Sequence, residues 1–241
     1  YPPIVELATA KVTGMEALVR WEHPTKGLLS PVDFIPLAEE TGLILHIGRW
    51  VLHEACRQAV EWSDAHPNRV PLTMSVNLSA RQLHLNTVID DVAAALDDTG
   101  LAPERLTLEL TETVLMQDTG EVVPRLNRLK ELGVHLAIDD FGTGYSSLSY
   151  LNRLPIQKLK IDQSFVRDIT VDPNDAAIVV AIINMAKSLD LDTIAEGVES
   201  AGQVALLRSK GCRVGQGYHF SPALDARKLY PLLRQKAIAN P

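Results

Sequence analysis

Short apolar runs in this chain end repeatedly on a residue that can hold a metal ion or a proton. Met74-Ser75-Val76 leads to Asn77, Leu106-Thr107-Leu108 to Glu109, and Leu136-Ala137-Ile138 to Asp139-Asp140. Lys158-Leu159 leads to Lys160, with Asp162 just beyond. Thr193-Ile194-Ala195 leads to Glu196, and Val214-Gly215 to Gln216. Glu16 lies near the start of a further run. If these runs are parallel strands whose ends open on one face, all eight side chains converge. Five of them are carboxylates, which cannot all stay ionised in one pocket unaided. Divalent cations relieve that repulsion. An oxygen-rich ligand set favours magnesium or manganese, with calcium able to compete. A carboxylate of the Asp139-Asp140 pair can bridge two ions ~3.5–4 Å apart, the spacing of two-metal phosphoesterases.

Each residue also has a plainer explanation. Glu109 or Glu196 alone reads as a helix N-cap or a surface acid, and Asn77 before Leu78-Ser79 as a turn cap. Lys160 can lie along apolar surface with its head in water. Capping does not explain such residues at the ends of six successive runs. The Gly142-Thr143-Gly144 stretch is a weak phosphate signal by itself. Beside two acids it reads as a glycine-rich loop that gates the site. The histidines are dispersed without metal-ligand spacing, and Cys56 and Cys212 read as buried packing.

The elements that must position this set follow from the patterning. Apolar runs over 71–77, 105–110, 134–138, 157–161, 193–195 and 213–215 read as strands buried on both faces. Residues 16–20 read as another strand, and 4–8 with 11–15 as a leading hairpin. Helical periodicity fills 47–63, 87–99, 121–132, 176–189, 201–209 and 225–237. Gly100, Gly133 and Gly211 stand where helices end. Repeated strand–helix units over 241 residues predict a (β/α)8 barrel, whose strand C-termini carry the active site. The alternative, an open doubly wound sheet, lacks its glycine fingerprint after the first strand. A hydrophobic content of 46% excludes disorder over most of the chain. No apolar run reaches the ~20 residues of a membrane span. Two cysteines exclude a disulfide scaffold and fit a reducing, cytoplasmic setting. A net charge of -7 argues against a DNA binder but not against an anionic ligand held through metal ions.

Glu16-Ala17-Leu18-Val19-Arg20-Trp21 resembles the signature of the EAL domain family of cyclic-di-GMP phosphodiesterases. The similarity continues, in order, through PVDFIPLAEETG at 31–42, SVNLS at 75–79, ELTET at 109–113 and DDFGTGYSSL at 139–148. It ends with KIDQSFV at 160–166, AEGVE at 195–199 and QGYHFS at 216–221. A lone Glu-Ala-Leu carries no information, but eight ordered motifs do. The resemblance implies a modified TIM-type (β/α)8 barrel with one early antiparallel strand. It implies one EAL domain over residues 1–241, a piece of a longer multidomain protein. The implied reaction is hydrolysis of cyclic-di-GMP to linear pGpG with two divalent cations, Mg2+ or Mn2+, and with Ca2+ inhibitory.

By that resemblance Glu16, Asn77, Glu109 and Asp139 hold one metal, and Asp139, Asp140 and Glu196 the second. Lys160 orients or deprotonates the attacking water, which makes Lys160, Glu196 and Glu16 the catalytic set. Arg20 contacts a substrate phosphate, Gln216 lines the pocket and Glu112 anchors the glycine loop. The implied partners are cyclic-di-GMP, a second copy of the domain, and an upstream sensor or GGDEF domain. Two departures stand out. The family opens Tyr-Gln-Pro-Ile where this chain has Tyr1-Pro2-Pro3-Ile4, which removes a glutamine that contacts a guanine base. Phe220-Ser221-Pro222-Ala223 lacks the usual following proline. The competing function is a receptor that binds the dinucleotide without cutting it, a role usually accompanied by loss of a metal ligand.

Overall fold

The computed structural model describes all residues except 68–69, 86, 117–118, 145–147, 235–236 and 239–241. Tyr145, Ser146 and Ser147 of the glycine-loop motif therefore lie outside the described residues. Ten strands are β1 (Pro3–Glu6), β2 (Lys11–Ala17), β3 (Trp21–His23), β4 (Gly27–Leu29), β5 (Thr73–Asn77), β6 (Leu106–Thr111), β7 (His135–Phe141), β8 (Lys158–Ile161), β9 (Asp192–Ala195) and β10 (Val214–Gly215). Eight close a barrel in the order β1-β10-β9-β8-β7-β6-β5-β2. β1 runs antiparallel to both its neighbours, β2 and β10, and the remaining barrel pairs are parallel. β3 and β4 form a separate antiparallel ribbon.

The apolar runs form strands because both of their faces are covered. Along β6, Leu106, Leu108 and Leu110 are fully buried towards the helices, while Thr107 and Glu109 alternate with them inside the barrel. β8 repeats this with Leu159 and Ile161 outside and Lys158 and Lys160 inside, where Lys158 Nζ donates to Thr107 Oγ1 at 2.9 Å. The helices that cover the barrel include Ile44–Asp64, Thr87–Thr99, Thr119–Glu131, Pro173–Ser188 and Ala201–Ser209. Gly100, Gly133 and Gly211 take φ of 70°, 92° and 95° at helix ends, where a β-carbon would be strained. Helix Pro31–Thr41 starts with a capping box between Ser30 and Asp33 and with Pro31 in its first turn. Among the described residues no helix is long and apolar enough to cross a membrane.

Two expectations change. Residues 16–20 are not a strand of their own. Lys11–Ala17 is one strand, and Glu16 lies near its C-terminal end. Gly14 does not break this strand, because it packs so closely on Thr73 of β5 that a β-carbon would lie 2.3 Å from Thr73 Oγ1. The helix expected over 225–237 is instead a 3-10 turn, Ala226–Leu229, followed by a short α-helix, Tyr230–Arg234. Pro231 sits in the first turn of that short helix, where its missing amide hydrogen costs no intrahelical bond.

Candidate metal centre

The C-terminal ends of the parallel strands collect the acids. Glu16 comes from β2, Asn77 from β5, Glu109 from β6, and Asp139 and Asp140 from β7. Lys160 comes from β8. Glu196 and Gln216 follow β9 and β10 directly, and their amides extend the ladder, Glu196 N to Ile161 O at 3.1 Å and Gln216 N to Ala195 O at 2.8 Å. Backbone hydrogen bonding thus fixes the roots of side chains far apart in sequence.

Lys160 lies at the centre and is 1% exposed. Its Nζ lies 2.6 Å from Glu109 Oε2, 2.8 Å from Glu196 Oε1, 3.0 Å from Asp139 Oδ1 and 3.4 Å from Glu16 Oε2. The head does not reach back to solvent, so the plainer reading of Lys160 fails. Gln216 Nε2 donates to Glu16 Oε2 at 2.8 Å and to Glu196 Oε1 at 2.9 Å. Asn77 Nδ2 donates to Glu16 Oε1 at 2.9 Å. Glu196 caps no helix, since Ser200 caps the helix that follows.

The electrostatics follow from burial and from this one cation. Burial pushes the Glu109 carboxyl up to about 8 against the pull of Lys160, and does the same to Glu196. For Glu16 burial also acts upward, but Lys160 and the hydrogen bonds from Gln216 and Asn77 outweigh it, and its pKa falls below the ordinary value. Burial lowers the pKa of Lys160, yet the surrounding carboxylates dominate and hold it well above that of a free lysine. Asp140 is raised to about 6 by partial burial, then by the charges of Asp139 and Asp162.

Asp140 reaches the site by a backbone device. Consecutive strand residues point to opposite faces, which would send Asp140 away from Asp139. The β7–β8 register shifts between Ile138 and Phe141, and Asp140 takes φ of 53°. Both acids then face the mouth. Carboxylate oxygens of Glu16, Glu109 and Asp139 lie within 4.8 Å of one another, and so do those of Asp139, Asp140 and Glu196. Asp139 belongs to both triads.

The donors fit hard divalent cations. All are oxygens, and Glu109 Oε1 is buried without a hydrogen-bond partner, as a ligand atom awaiting a cation would be. Fully ionised, five carboxylates against one ammonium would carry four negative charges, the sum that two divalent cations neutralise. Glu16, Glu109 and Asp139, with the amide oxygen of Asn77, would hold one, and Asp139, Asp140 and Glu196 the other.

Two predicted residues stand apart from the cluster. Glu112 is buried, and its Oε2 accepts from the amides of Gly142 at 2.9 Å and Gly144 at 3.3 Å. A β-carbon on Gly144 would lie 2.8 Å from Glu112 Oε1, so a larger residue there would push that carboxylate aside. Arg20 is exposed and donates to Val19 O at 2.9 Å. Its groove of about 450 Å³ is lined also by Tyr1, Leu28 and Trp50, beside the acids rather than among them. Asp162 was not counted in the set, yet its carboxyl bonds to Asp140 as well as to Ser164 N at 2.9 Å. Its position two residues after Lys160, on the same face of the strand, was the available signal.

The chain is similar to known proteins over nearly its whole length. The family model described as "EAL domain" matches residues 1–223. The cyclic di-GMP phosphodiesterase NbdA of Pseudomonas aeruginosa is 48% identical over 234 residues, which is 97% of this chain and 30% of that protein. The chain therefore spans less than a third of that relative's length. The solved PaMucR phosphodiesterase in complex with c-di-GMP superposes with a TM-score of 0.90 at 45% identity, covering 95% of this chain and 92% of that one. Klebsiella pneumoniae BlrP1, solved as a calcium/cy-diGMP complex, gives 0.79 at 32% identity, covering 92% and 54%.

Proposed function

This chain belongs to the EAL domain family, and from that premise we propose that it is a phosphodiesterase that cuts cyclic-di-GMP to linear pGpG using two divalent cations, Mg2+ or Mn2+. The observation that carries the reading is the pair of acid triads sharing Asp139. Bound there, the cations would lower the pKa of a water and neutralise charge on the phosphoryl oxygens. Of the chain's own residues, Gln216 spans both triads, holding Glu16 and Glu196 in register through one amide nitrogen. In the metal-free protein the acids around Lys160 hold it protonated. With the cations bound among those acids, Lys160 would orient or deprotonate the attacking water. Arg20, exposed in its groove beside the mouth, is free to meet a substrate phosphate. Glu112 holds the glycine loop against the site. Homodimerisation and attachment to a sensor or GGDEF domain belong to the same proposal.

The retained acid set favours turnover over the receptor role. The test is incubation of the domain with cyclic-di-GMP in Mg2+, Mn2+ or Ca2+, with products separated by ion-exchange chromatography. Formation of pGpG in Mg2+ or Mn2+, suppressed by Ca2+, is expected. A folded domain that binds the dinucleotide and leaves it intact in every metal would replace the enzyme with a receptor.

A further inference from the structure

The β7–β8 ladder is out of register between Ile138 and Phe141, and Asp140 and Gly142 have φ of 53° and 102°. Both values lie in the left-handed region, which L-residues adopt reluctantly. Within the turn Thr143 Oγ1 donates to Asp140 O at 2.8 Å, and Phe141 rejoins the ladder opposite Ile161. Contacts from outside add to these. Glu112 does so from one side through the amides of Gly142 and Gly144. On the other side lies the half-buried ring of Phe165, from the short helix Gln163–Arg167 after β8. A β-carbon on Gly142 would lie 2.8 Å from Phe165 Cε2 and 3.4 Å from Ile182 Cδ1. The ring thus touches the backbone directly, and Ile182 of helix Pro173–Ser188 adds to the same seat.

We propose that Phe165 is a positioning residue whose ring, together with Ile182, seats the Asp140–Gly142 turn so that Asp140 completes the triad with Asp139 and Glu196. The inference rests on reading that triad as an ion site. The other triad, Glu16, Glu109 and Asp139, has its members within strands β2, β6 and β7 and does not depend on the turn. The loss of Phe165 should therefore be felt at one ion and not at the other, which a general packing defect would not produce.

The test compares the unaltered domain with Phe165→Ala and Phe165→Leu by Mn2+ titration calorimetry, and by hydrogen exchange of the metal-free proteins. Phe165→Ala should weaken one Mn2+ class at least tenfold while the other stays within twofold, and Phe165→Leu should recover most of the loss. Exchange at the amides of 140–144 should rise at least tenfold in Phe165→Ala with β6 unchanged. Equal weakening of both classes, or unchanged exchange at 140–144, overturns the proposal. An unaltered domain that binds no Mn2+ refutes the ion-site reading, and the exchange comparison then still decides whether Phe165 seats the turn. If Phe165→Ala does not fold, Phe165→Val, which also removes the ring, carries the same comparison with the same expected directions.

Discussion

Protons and metal ions should compete for this site, and the structure says how steeply. Glu109 and Glu196, one in each triad, have carboxyls raised to about 8 by burial in the metal-free protein. Each ion must therefore displace about one proton near pH 7. Between pH 8 and pH 6 the apparent affinity for each ion should fall about fiftyfold, roughly 2.3 kcal/mol. Asp140, raised to about 6, adds a second proton for the triad it shares with Asp139 and Glu196, so that ion's affinity should fall more steeply below pH 6. The consequence for folding runs the other way. A carboxyl raised above its unfolded value means that the folded, metal-free protein binds more protons than the unfolded chain between about pH 4.5 and 8, so its stability falls as pH rises through that window. Metal-loaded protein should gain stability over the same range. Titration with Mn2+ at pH 6, 7 and 8, in buffers of different ionisation enthalpy, gives affinity and proton release together. An affinity constant across that range, with well under half a proton released per ion at pH 7, would refute the assignment of these carboxyls.

Lys160→Ala removes the cation paired with four acids, so the metal-free protein should lose about 3–5 kcal/mol in denaturant unfolding. Its turnover should fall at least a hundredfold with Mn2+ still bound; near-normal turnover would remove Lys160 from the chemistry. Glu112→Ala deprives the Gly142 and Gly144 amides of their acceptor. Steady-state assays should show turnover down about tenfold or more, while calorimetry shows the ion at Glu16, Glu109 and Asp139 retained. Leu108→Ala empties a fully buried position between barrel and helices and should cost about 2–5 kcal/mol by the same unfolding measurement, with metal affinity unchanged in the folded fraction.

Much of this protein is readable from local sequence. The strand cores and most helices are legible because period-2 and period-3.6 burial leave their mark residue by residue, and helices Thr87–Thr99 and Ala201–Ser209 fall where the periodicity puts them. The polar residues that end the runs are legible for a related reason. A position in the barrel mouth escapes the apolar requirement of the core around it, so Asn77, Glu109, Glu196 and Gln216 stand out against Leu, Ile and Val.

Other features arise only when the barrel closes. Glu16 belongs to the end of β2 because β5 pairs alongside it across a contact that requires Gly14. The helix expected over 225–237 is instead a 3-10 turn over Ala226–Leu229 and a short helix over Tyr230–Arg234, which periodicity alone does not announce. Asp140 joins Asp139 through a register shift and a left-handed backbone, neither of which the dipeptide announces. The raised carboxyls depend on desolvation, and the protonated Lys160 on carboxylates, brought by elements far away in the chain. Sequence thus determined which chemistry is carried and roughly where along the chain. Closure of the barrel decided which oxygens lie within reach of one another and how burial shifts their protons, because distance and dielectric are properties of the folded whole.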